Sequence, residues 1–286
     1  MKTILVTTDF SAPSQTAAHF AMYLANKMKA RVTLCHAIQM SPAITVAAQV
    51  SGGLESYSVI KDAADEQIRL QALSLAADEE KDTNSGTPDV DCIVVPGSVP
   101  EVVNDLVEKK EICLVVMGMF GAGAINRVLL GSNSQNLIDR AVFPVLLVPF
   151  KMIPETINKI AFASDLSEGD IGLIHSLVSF ARPFNAEILI VHISGAKADP
   201  HQISSFLNEV TCKVNYPKIY YRHVEDKDIN RGLNWIAENG FIDVFAMVHR
   251  KKSFPDNLFS SSHTQKLSRR IDIPLLVFSE DECPLF

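Results

Sequence analysis

Short apolar runs alternate with longer amphipathic stretches along the whole chain. In the first half, the apolar runs predict strands at roughly 2–8, 31–37, 90–95, 112–117 and 144–148. The stretches between them predict helices at roughly 13–29, 56–82, 99–109 and 132–140. Continuously apolar strands that are separated by helices are typical of a parallel sheet covered on both faces.

The same pattern occurs twice. The strand that ends at Asp9 returns as a strand that ends at Asp165, and the strand that ends at Met117 returns as one that ends at Met247. The interval from Asp165 to Met247 is shorter than the interval from Asp9 to Met117, so the second copy is shortened in its middle. Each copy predicts a doubly wound, Rossmann-like α/β domain with a five-stranded parallel sheet and helices on both faces. The two predicted tandem domains are residues 1–150 and residues 155–280.

The composition of the chain argues against several classes of function. The chain has 286 residues, 47% of them hydrophobic, and a formal net charge of −7. This acidic balance disfavours non-specific nucleic-acid binding, which needs a basic surface. The first apolar run is too short for a signal peptide, and no run approaches the roughly 18 apolar residues of a membrane span. The five cysteines have no metal-ligand spacing. We therefore expect a cytoplasmic protein that contacts neither nucleic acid nor membrane and has no metal site of its own.

A glycine-rich loop follows the fourth predicted strand, with the spacing Gly118-x2-Gly121-x9-Gly131-Ser132. Glycine lets a backbone turn with positive φ and lets a ligand approach closely. The N-terminus of the helix that follows favours a phosphate group. The loop is not a P-loop, because no Gly-Lys-Ser/Thr follows. It is also not the Gly-x-Gly-x-x-Gly dinucleotide motif, because no glycine follows the first strand.

This loop spacing, together with Asp9 after the first strand, resembles the universal stress protein family over nearly the whole chain. The resemblance implies that ATP, with or without magnesium, binds at the carboxyl edge of the first sheet. It implies that Thr8 and Asp9 contact adenine and ribose, that the Ala37 backbone meets the adenine, and that Gly97 approaches the ribose. The residues that it assigns to the phosphate side are Met117, Gly118, Gly121, Gly131, Ser132 and Asn133.

Several of these residues also have a structural interpretation. Ser132 begins a Ser-x-x-Gln capping box, so a cap alone and a cap with a phosphate contact both stay open. Asp9 either caps the first helix or holds a ribose hydroxyl group, and we favour the ribose, since acids at this strand end commonly bind one. His36 and His192 end matching strands without a partner acid, so we interpret both as structural.

The second copy lacks the loop. Its residues in place of the three glycines are Val248, Lys251 and Ser261. The alignment that matches Met117 with Met247 places Lys227 opposite Gly97. We interpret the basic run His249-Arg250-Lys251-Lys252 as solvated surface, with an anion or partner site as the alternative.

The sequence therefore predicts an ATP-binding regulatory protein of the stress response, with the nucleotide in the first copy only. The loop has no lysine for a γ-phosphate and no evident base for a water molecule, which favours a binding module over an enzyme. A slow ATPase and a nucleotide-free scaffold stay open as alternatives. Family members with one copy pair through their last strand. The resemblance thus also implies an intrachain pseudo-dimer here and leaves a homodimer open.

Overall fold

The structure is a computed structural model that describes residues 2–39, 54–82, 88–109, 111–119, 132–150, 155–195, 199–250 and 272–280. Contacts along the backbone divide the chain into two compact units, Met1–Gly118 and Met119–Phe286. None of the helices in the described ranges is long and apolar enough to cross a membrane.

Strands and helices alternate in the first unit. Its elements are β1 (Thr3–Thr7), α1 (Ala12–Met28), β2 (Arg31–Ile38), α2 (Leu54–Asp82), β3 (Val90–Pro96), α3 (Val99–Lys109) and β4 (Ile112–Met119). All of its strand pairs are parallel, with β1 between β2 and β4 and with β3 on the outer side of β2. The predicted strands and helices of this unit are confirmed to within about two residues.

Helix α1 begins where the sequence supplies a cap. Ser11 has an extended backbone, its hydroxyl group accepts a hydrogen bond from the Ser14 amide, and Pro13 stands in the first turn, where no amide hydrogen is needed. Small side chains then let α1 lie close to the sheet. The alanines that are fully buried on α1 are Ala17, Ala18, Ala21 and Ala25. The cap therefore fixes where the chain turns from β1 into α1.

The second unit repeats this architecture. Its elements are α4 (Ser132–Arg140), β5 (Val145–Pro149), β6 (Lys159–Ala163), α5 (Gly169–Ala181), β7 (Glu187–Ser194), α6 (Pro200–Lys213), β8 (Ile219–Glu225), α7 (Ile229–Asn239), β9 (Val244–His249) and β10 (Leu275–Ser279). The strands lie in the order β5-β10-β9-β6-β7-β8. Among the pairs in the described residues, only β10 with β5 is antiparallel. The chain thus has the predicted α/β fold with a mostly parallel sheet.

Strand β5 belongs to the first copy by sequence but to the second unit by its contacts. Leu147 stands opposite Leu275 and Val145 opposite Val277 in the antiparallel ladder, and every residue of β5 is buried. The two last strands therefore pair with each other. The boundaries at residues 150 and 155 stay a prediction, because the contacts group β5 with its partner strand rather than with its own copy.

The strand register shows where the second copy is shorter. Val32 pairs with Val90, and Ile188, the counterpart of Val32, pairs with Ile219. Val90 and Ile219 are therefore equivalent, and they lie one position closer in sequence than Met117 and Met247 do. The main shortening lies between the second and third strands of the copies, where α2 has 29 residues and α6 has 14.

Candidate functional site

The turn between β1 and α1 positions an exposed carboxylate. Phe10 has a positive φ of 64°, which turns the chain sharply after Asp9. The Asp9 carboxylate accepts hydrogen bonds from the Ser11 amide at 3.1 Å and from the Ser11 hydroxyl group at 2.5 Å. Partial burial raises the pKa of Asp9, but the hydrogen bonds from Ser11 outweigh it, so the pKa lies below its usual value. Asp9 is thus a rigidly held anion that is open to solvent.

The cap of α1 is Ser11, and Asp9 holds that cap in place. The interpretation of Asp9 as the cap itself is therefore wrong in detail, although Asp9 does have a structural role. This role leaves the carboxylate exposed, so the structure is compatible with a ligand on the same side chain. The ribose contact stays a prediction.

Thr8 has its polar atoms engaged within the protein. Its amide donates to the Cys35 carbonyl at 2.9 Å, and its carbonyl accepts from His36 Nδ1 at 2.8 Å. The hydroxyl group donates to Gln71 Oε1 at 3.0 Å and accepts from the Phe10 amide at 3.1 Å. Because Thr8 is buried, its clearest role is to fix the turn, and contact with adenine stays a prediction.

His36 has a structural environment, as the sequence suggests. Besides its bond to Thr8, its ring lies 4.6 Å from the Phe10 ring, centroid to centroid. In the second copy, His192 Nδ1 lies 3.0 Å from the Ser164 carbonyl oxygen. Since a carbonyl group can only accept, Nδ1 carries the proton in both histidines. Each histidine therefore ties the end of its strand to the neighbouring turn.

Gly97 and Ala37 lie at the ends of neighbouring strands. Gly97 has a φ of 140°, which favours glycine, and its amide donates to the Ile38 carbonyl at 3.1 Å. Ala37 is half-buried in β2. In the second copy, the Asp226 amide donates to the Ser194 carbonyl at 3.0 Å in the same way.

The equivalent of Gly97 is therefore Asp226, and the prediction of Lys227 is wrong. That prediction carried the alignment of Met117 with Met247 back to the third strand. The register of β3 and β8 differs from that alignment by one position, because the second copy is shorter before its third strand but one residue longer between its third and fourth strands.

At the end of β4, Met117 is buried and Gly118 packs against the Pro13 backbone. A side chain on residue 118 would overlap that backbone, so Gly118 has a packing role that does not depend on any ligand. Gly121 and Gly131 lie outside the described residues. Ser132 and Asn133 begin α4 in the second unit. Both interpretations of Ser132 stay open, because its side chain also lies outside the described residues.

The structure therefore brings part of the predicted set together in the first unit. The residues at the carboxyl ends of its strands are Thr8, Asp9, Ala37, Gly97, Met117 and Gly118. Their shared position agrees with the general rule that ligands of doubly wound sheets bind at this edge. The exposed anion Asp9 is the group best placed there to accept a hydrogen bond from a ligand hydroxyl group.

The same turn in the second copy is closed by an arginine. Leu166 repeats the positive φ of Phe10, at 62°, and Asp165 stands where Asp9 stands. Asp165 forms an ion pair with Arg250, and the guanidinium group also lies 2.7 Å from Asp170 Oδ1 and 2.8 Å from Ser167 Oγ. Arg250 is only 6% exposed.

Part of the basic run was thus misassigned from the sequence. Arg250 is buried in an ion-pair cluster, and His249 is also buried, with Nε2 3.2 Å from Asp139 Oδ1. The solvated interpretation is wrong for these two residues, while Lys251 and Lys252 lie outside the described residues.

The repeat itself held a signal for this cluster. Asp170 in the second copy stands where the first copy has Ser14, by the alignment that matches Asp165 with Asp9. Arg250 stands where the first copy has Phe120, by the alignment that matches Val248 with Gly118. At these two positions the second copy therefore has an acid and a base where the first copy has two uncharged residues.

The two acids of this cluster titrate differently. Burial and the neighbouring Asp165 raise the pKa of Asp170 to about 6, against the hydrogen bond from Ser164 and the charge of Arg250. Burial also raises the pKa of Asp165, but the charge of Arg250 and the hydrogen bonds from Ser167 and Arg250 bring it below its usual value. Asp165 is thus the ionised partner of Arg250 at neutral pH, and Asp170 is the group that takes up a proton first as the pH falls.

Comparisons with known proteins agree with this fold. A sequence model described as the universal stress protein family matches residues 1–149. A universal stress protein of Thermus aquaticus is 30% identical over 149 residues, which are 51% of this chain and 98% of that protein. One of Methanocaldococcus jannaschii is 30% identical over 147 residues, 51% of this chain and 81% of that protein. A crystal structure of a universal stress protein from Archaeoglobus fulgidus shares the fold over 97% of this chain and 98% of that one, with a TM-score of 0.69 and 16% identity.

Proposed function

The chain belongs to the universal stress protein family, and from this premise we propose that its first copy, residues 1–150, binds ATP as the ligand of a stress-response regulatory protein. The observation that carries the proposal is Asp9: an exposed carboxylate, ionised at neutral pH and held by Ser11 at the carboxyl edge of the sheet. A ribose offers two hydroxyl donors, and an ionised, pre-oriented acceptor binds such donors more strongly than a neutral one.

The remaining contacts of the proposed site are made by backbone groups. Ala37 and Gly97 lie at the carboxyl ends of β2 and β3, at the same edge of the sheet as Asp9, where they can offer main-chain atoms. A Cβ on Gly97 would lie 3.0 Å from Val102 Cγ2, and its φ is positive, so both packing and backbone conformation favour glycine there. Magnesium is an optional partner of the phosphates. The residues that the family resemblance assigns to the phosphate side are Met117, Gly118, Gly121, Gly131, Ser132 and Asn133. Recognition through backbone groups explains why the proposed site contains so few charged side chains.

In this proposal the second copy, residues 155–280, binds no nucleotide. Val248 replaces a loop glycine with a β-branched residue, and Asp226 carries a side chain where Gly97 has none. The acid equivalent to Asp9 is already paired with Arg250. Three separate features of the second copy therefore oppose a nucleotide, and one chain is expected to bind one ATP.

The proposed role is regulatory rather than catalytic, because the loop sequence supplies neither a lysine for a γ-phosphate nor an evident general base. We further propose that the tandem domains associate as an intrachain pseudo-dimer through their last strands, which the β5–β10 ladder supports, with a homodimer as a further step. We also propose that the protein is cytoplasmic and does not bind nucleic acid, and the net charge of −7 supports the second of these points.

Nucleotide analysis of freshly purified, heat-denatured protein tests the proposal directly, with ATP expected in the supernatant. Titration calorimetry should give a stoichiometry near one per chain for the wild type. Gly121→Val and Gly131→Val should each abolish binding. Gly172→Val is the matched control, because an added Cβ there meets no atom within 4 Å, and it should bind like the wild type. Folded variants that all keep wild-type affinity would contradict the proposal. Magnesium-dependent phosphate release that disappears together with binding would instead assign a slow ATPase.

A further inference from the structure

We propose that the strand-end site of the second copy is a guanidinium site, and that its resident ligand is the chain's own Arg250. This site consists of Asp165, Ser167 and Asp170, which surround the guanidinium group. The inference rests on the proposed function only where it compares Asp165 with a ribose-binding acid. The chemistry of the guanidinium site itself is independent of ATP.

The geometry is that of a ligand in a built site rather than of a surface ion pair. One guanidinium nitrogen, Nη1, donates to Asp165 Oδ2, and the other, Nη2, donates to Asp170 Oδ1 at 2.7 Å and to Ser167 Oγ at 2.8 Å. Nε lies 3.7 Å from Glu280 Oε1 at the rim. The planar fork of arginine thus contacts oxygen atoms on three sides, which a lysine ammonium group cannot reproduce.

The two acidic side chains of the guanidinium site are held in place by hydrogen bonds of their own. Ser164 Oγ donates to Asp170 Oδ2 at 2.6 Å, and the Ser167 amide donates to Asp165 Oδ1 at 3.0 Å. Asp170 is fully buried, so without a cation its charge would have no compensation in a medium that solvates ions poorly. Without a cation, Asp170 would have to be protonated, so ionisation of both acids requires a cationic occupant, and Arg250 supplies it.

The same turn in the first copy lacks the second acid of the guanidinium site. Ser14 stands at the position of Asp170, and its hydroxyl group lies 3.2 Å from Thr8 Oγ1, as Asp170 contacts Ser164. In the proposed function the exposed Asp9 binds a ribose, whereas Asp165 forms an ion pair with Arg250 of its own chain. The second copy has thus exchanged an external ligand for an internal one, which keeps the shared turn while closing the site to any ligand that needs the Asp165 carboxylate.

Chemical rescue tests this assignment. Arg250→Ala in the full chain should lower the thermal midpoint by several degrees, and methylguanidinium at millimolar concentration should restore a large part of that loss. Sodium chloride at the same ionic strength should restore little of it. Arg231→Ala is the matched control: Arg231 also pairs with an aspartate, Asp226, but it is largely exposed, so its removal should cost little and show no rescue.

A second variant keeps the proposal open to refutation if Arg250→Ala does not fold. Arg250→Lys keeps the charge but loses the fork, and it should fold with a lower midpoint than the wild type. A lysine variant as stable as the wild type would overturn the proposal, and so would equal stabilisation of Arg250→Ala by methylguanidinium and by sodium chloride. A triple variant, Asp165→Asn with Asp170→Asn and Arg250→Met, should show no response to methylguanidinium. ATP affinity, measured in parallel, should not change in any of these variants, which separates this test from that of the proposed function.

Discussion

Gly118 lies so close to Pro13 that a Cβ on residue 118 would be 2.3 Å from the Pro13 carbonyl oxygen. The second copy exchanges both residues, with Val248 at the position of Gly118 and Gly169 at the position of Pro13. An added Cβ on Gly169 would meet no atom within 4 Å, so Gly169, unlike Gly118, is not required by close packing. Gly118 is therefore required by its packing against the Pro13 backbone.

We predict that Gly118→Ala destabilises the protein whether or not ATP is present. The new methyl group would force the end of β4 away from α1, and such overpacking typically costs about 1–3 kcal/mol. Gly169→Ala is the control, because a Cβ on Gly169 has open space around it, and it should alter the free energy of unfolding by less than about 0.5 kcal/mol. Urea unfolding of both variants without nucleotide is the measurement. Equal stability of the two variants would show that the fold does not require glycine at residue 118.

Replacement by alanine should affect ATP affinity at Asp9 but thermal stability at Asp165. A hydrogen bond to a charged group contributes roughly 1.5–3 kcal/mol, so Asp9→Ala should weaken ATP binding about ten- to a hundredfold. Asp165→Ala should leave ATP affinity almost unchanged but lower the thermal midpoint, because Arg250 would lose an ion-pair partner.

Calorimetry and thermal unfolding on the same two preparations separate these effects. Comparison of ATP with 2′,3′-dideoxy-ATP on the wild type then isolates the ribose contact. Equal affinity for the two nucleotides would remove the ribose role of Asp9, and a second binding site that Asp165→Ala abolishes would show that the second copy binds nucleotide after all.

The paired last strands lead to a prediction about a fragment. In the full chain, Leu146 and Leu147 are fully buried where β5 meets β10. A fragment of residues 1–150 would leave this strand as an exposed apolar edge, and such edges pair with other chains. The fragment should therefore self-associate more strongly than the full chain, as light scattering over a range of concentrations can show. Leu147→Lys in the fragment should reduce this association, whereas a wild-type fragment that stays monomeric at high concentration would count against the strand as an interface.

Sequence patterns predicted the elements of this chain better than its contacts. The strands and helices of the first copy were predictable because their apolar runs are long and regular. Because the pattern repeats, the elements of the second copy could be predicted by alignment with the first. The partners of Arg250 were not predictable from the charge run alone, since burial of an arginine depends on acids 80 and 85 residues away in sequence. The packing of Gly118 was missed for the same reason: its neighbour Pro13 is distant along the chain, and a loop glycine at this position is equally consistent with a role beside a phosphate.

The raised pKa of Asp170 predicts a specific dependence of stability on pH. Its pKa is about 6 in the folded protein, against 3.8 for an ordinary aspartate, so the folded state binds this proton more tightly than the unfolded chain does. The contribution of Asp170 to stability is therefore most favourable below about pH 4 and is lost as the pH rises through about 6. The charged groups around it are Asp165 and Arg250, with Glu280 on the outer side of Arg250. The lowered pKa of Asp165 acts in the opposite sense, since its contribution is present above the unfolded pKa and is lost as the pH falls.

The effect of Asp170 can be separated from that of its neighbours by comparing how the free energy of unfolding changes with pH in the wild type and in variants. Asp170→Asn removes the titrating group, so the wild type should lose stability relative to this variant between pH 4 and about pH 7. The overall level will also differ, because the asparagine contacts Arg250 without a charge, but that difference does not vary with the protonation of residue 170. Asp105→Asn is the control: Asp105 is exposed and pairs only with Lys109 among the described residues, and its replacement should leave the slope of the wild type unchanged over this range. Urea unfolding at half-unit pH steps provides the three curves. Parallel curves for the wild type and Asp170→Asn would mean that the buried acid titrates like an ordinary one, and that Arg250 compensates both carboxylates fully.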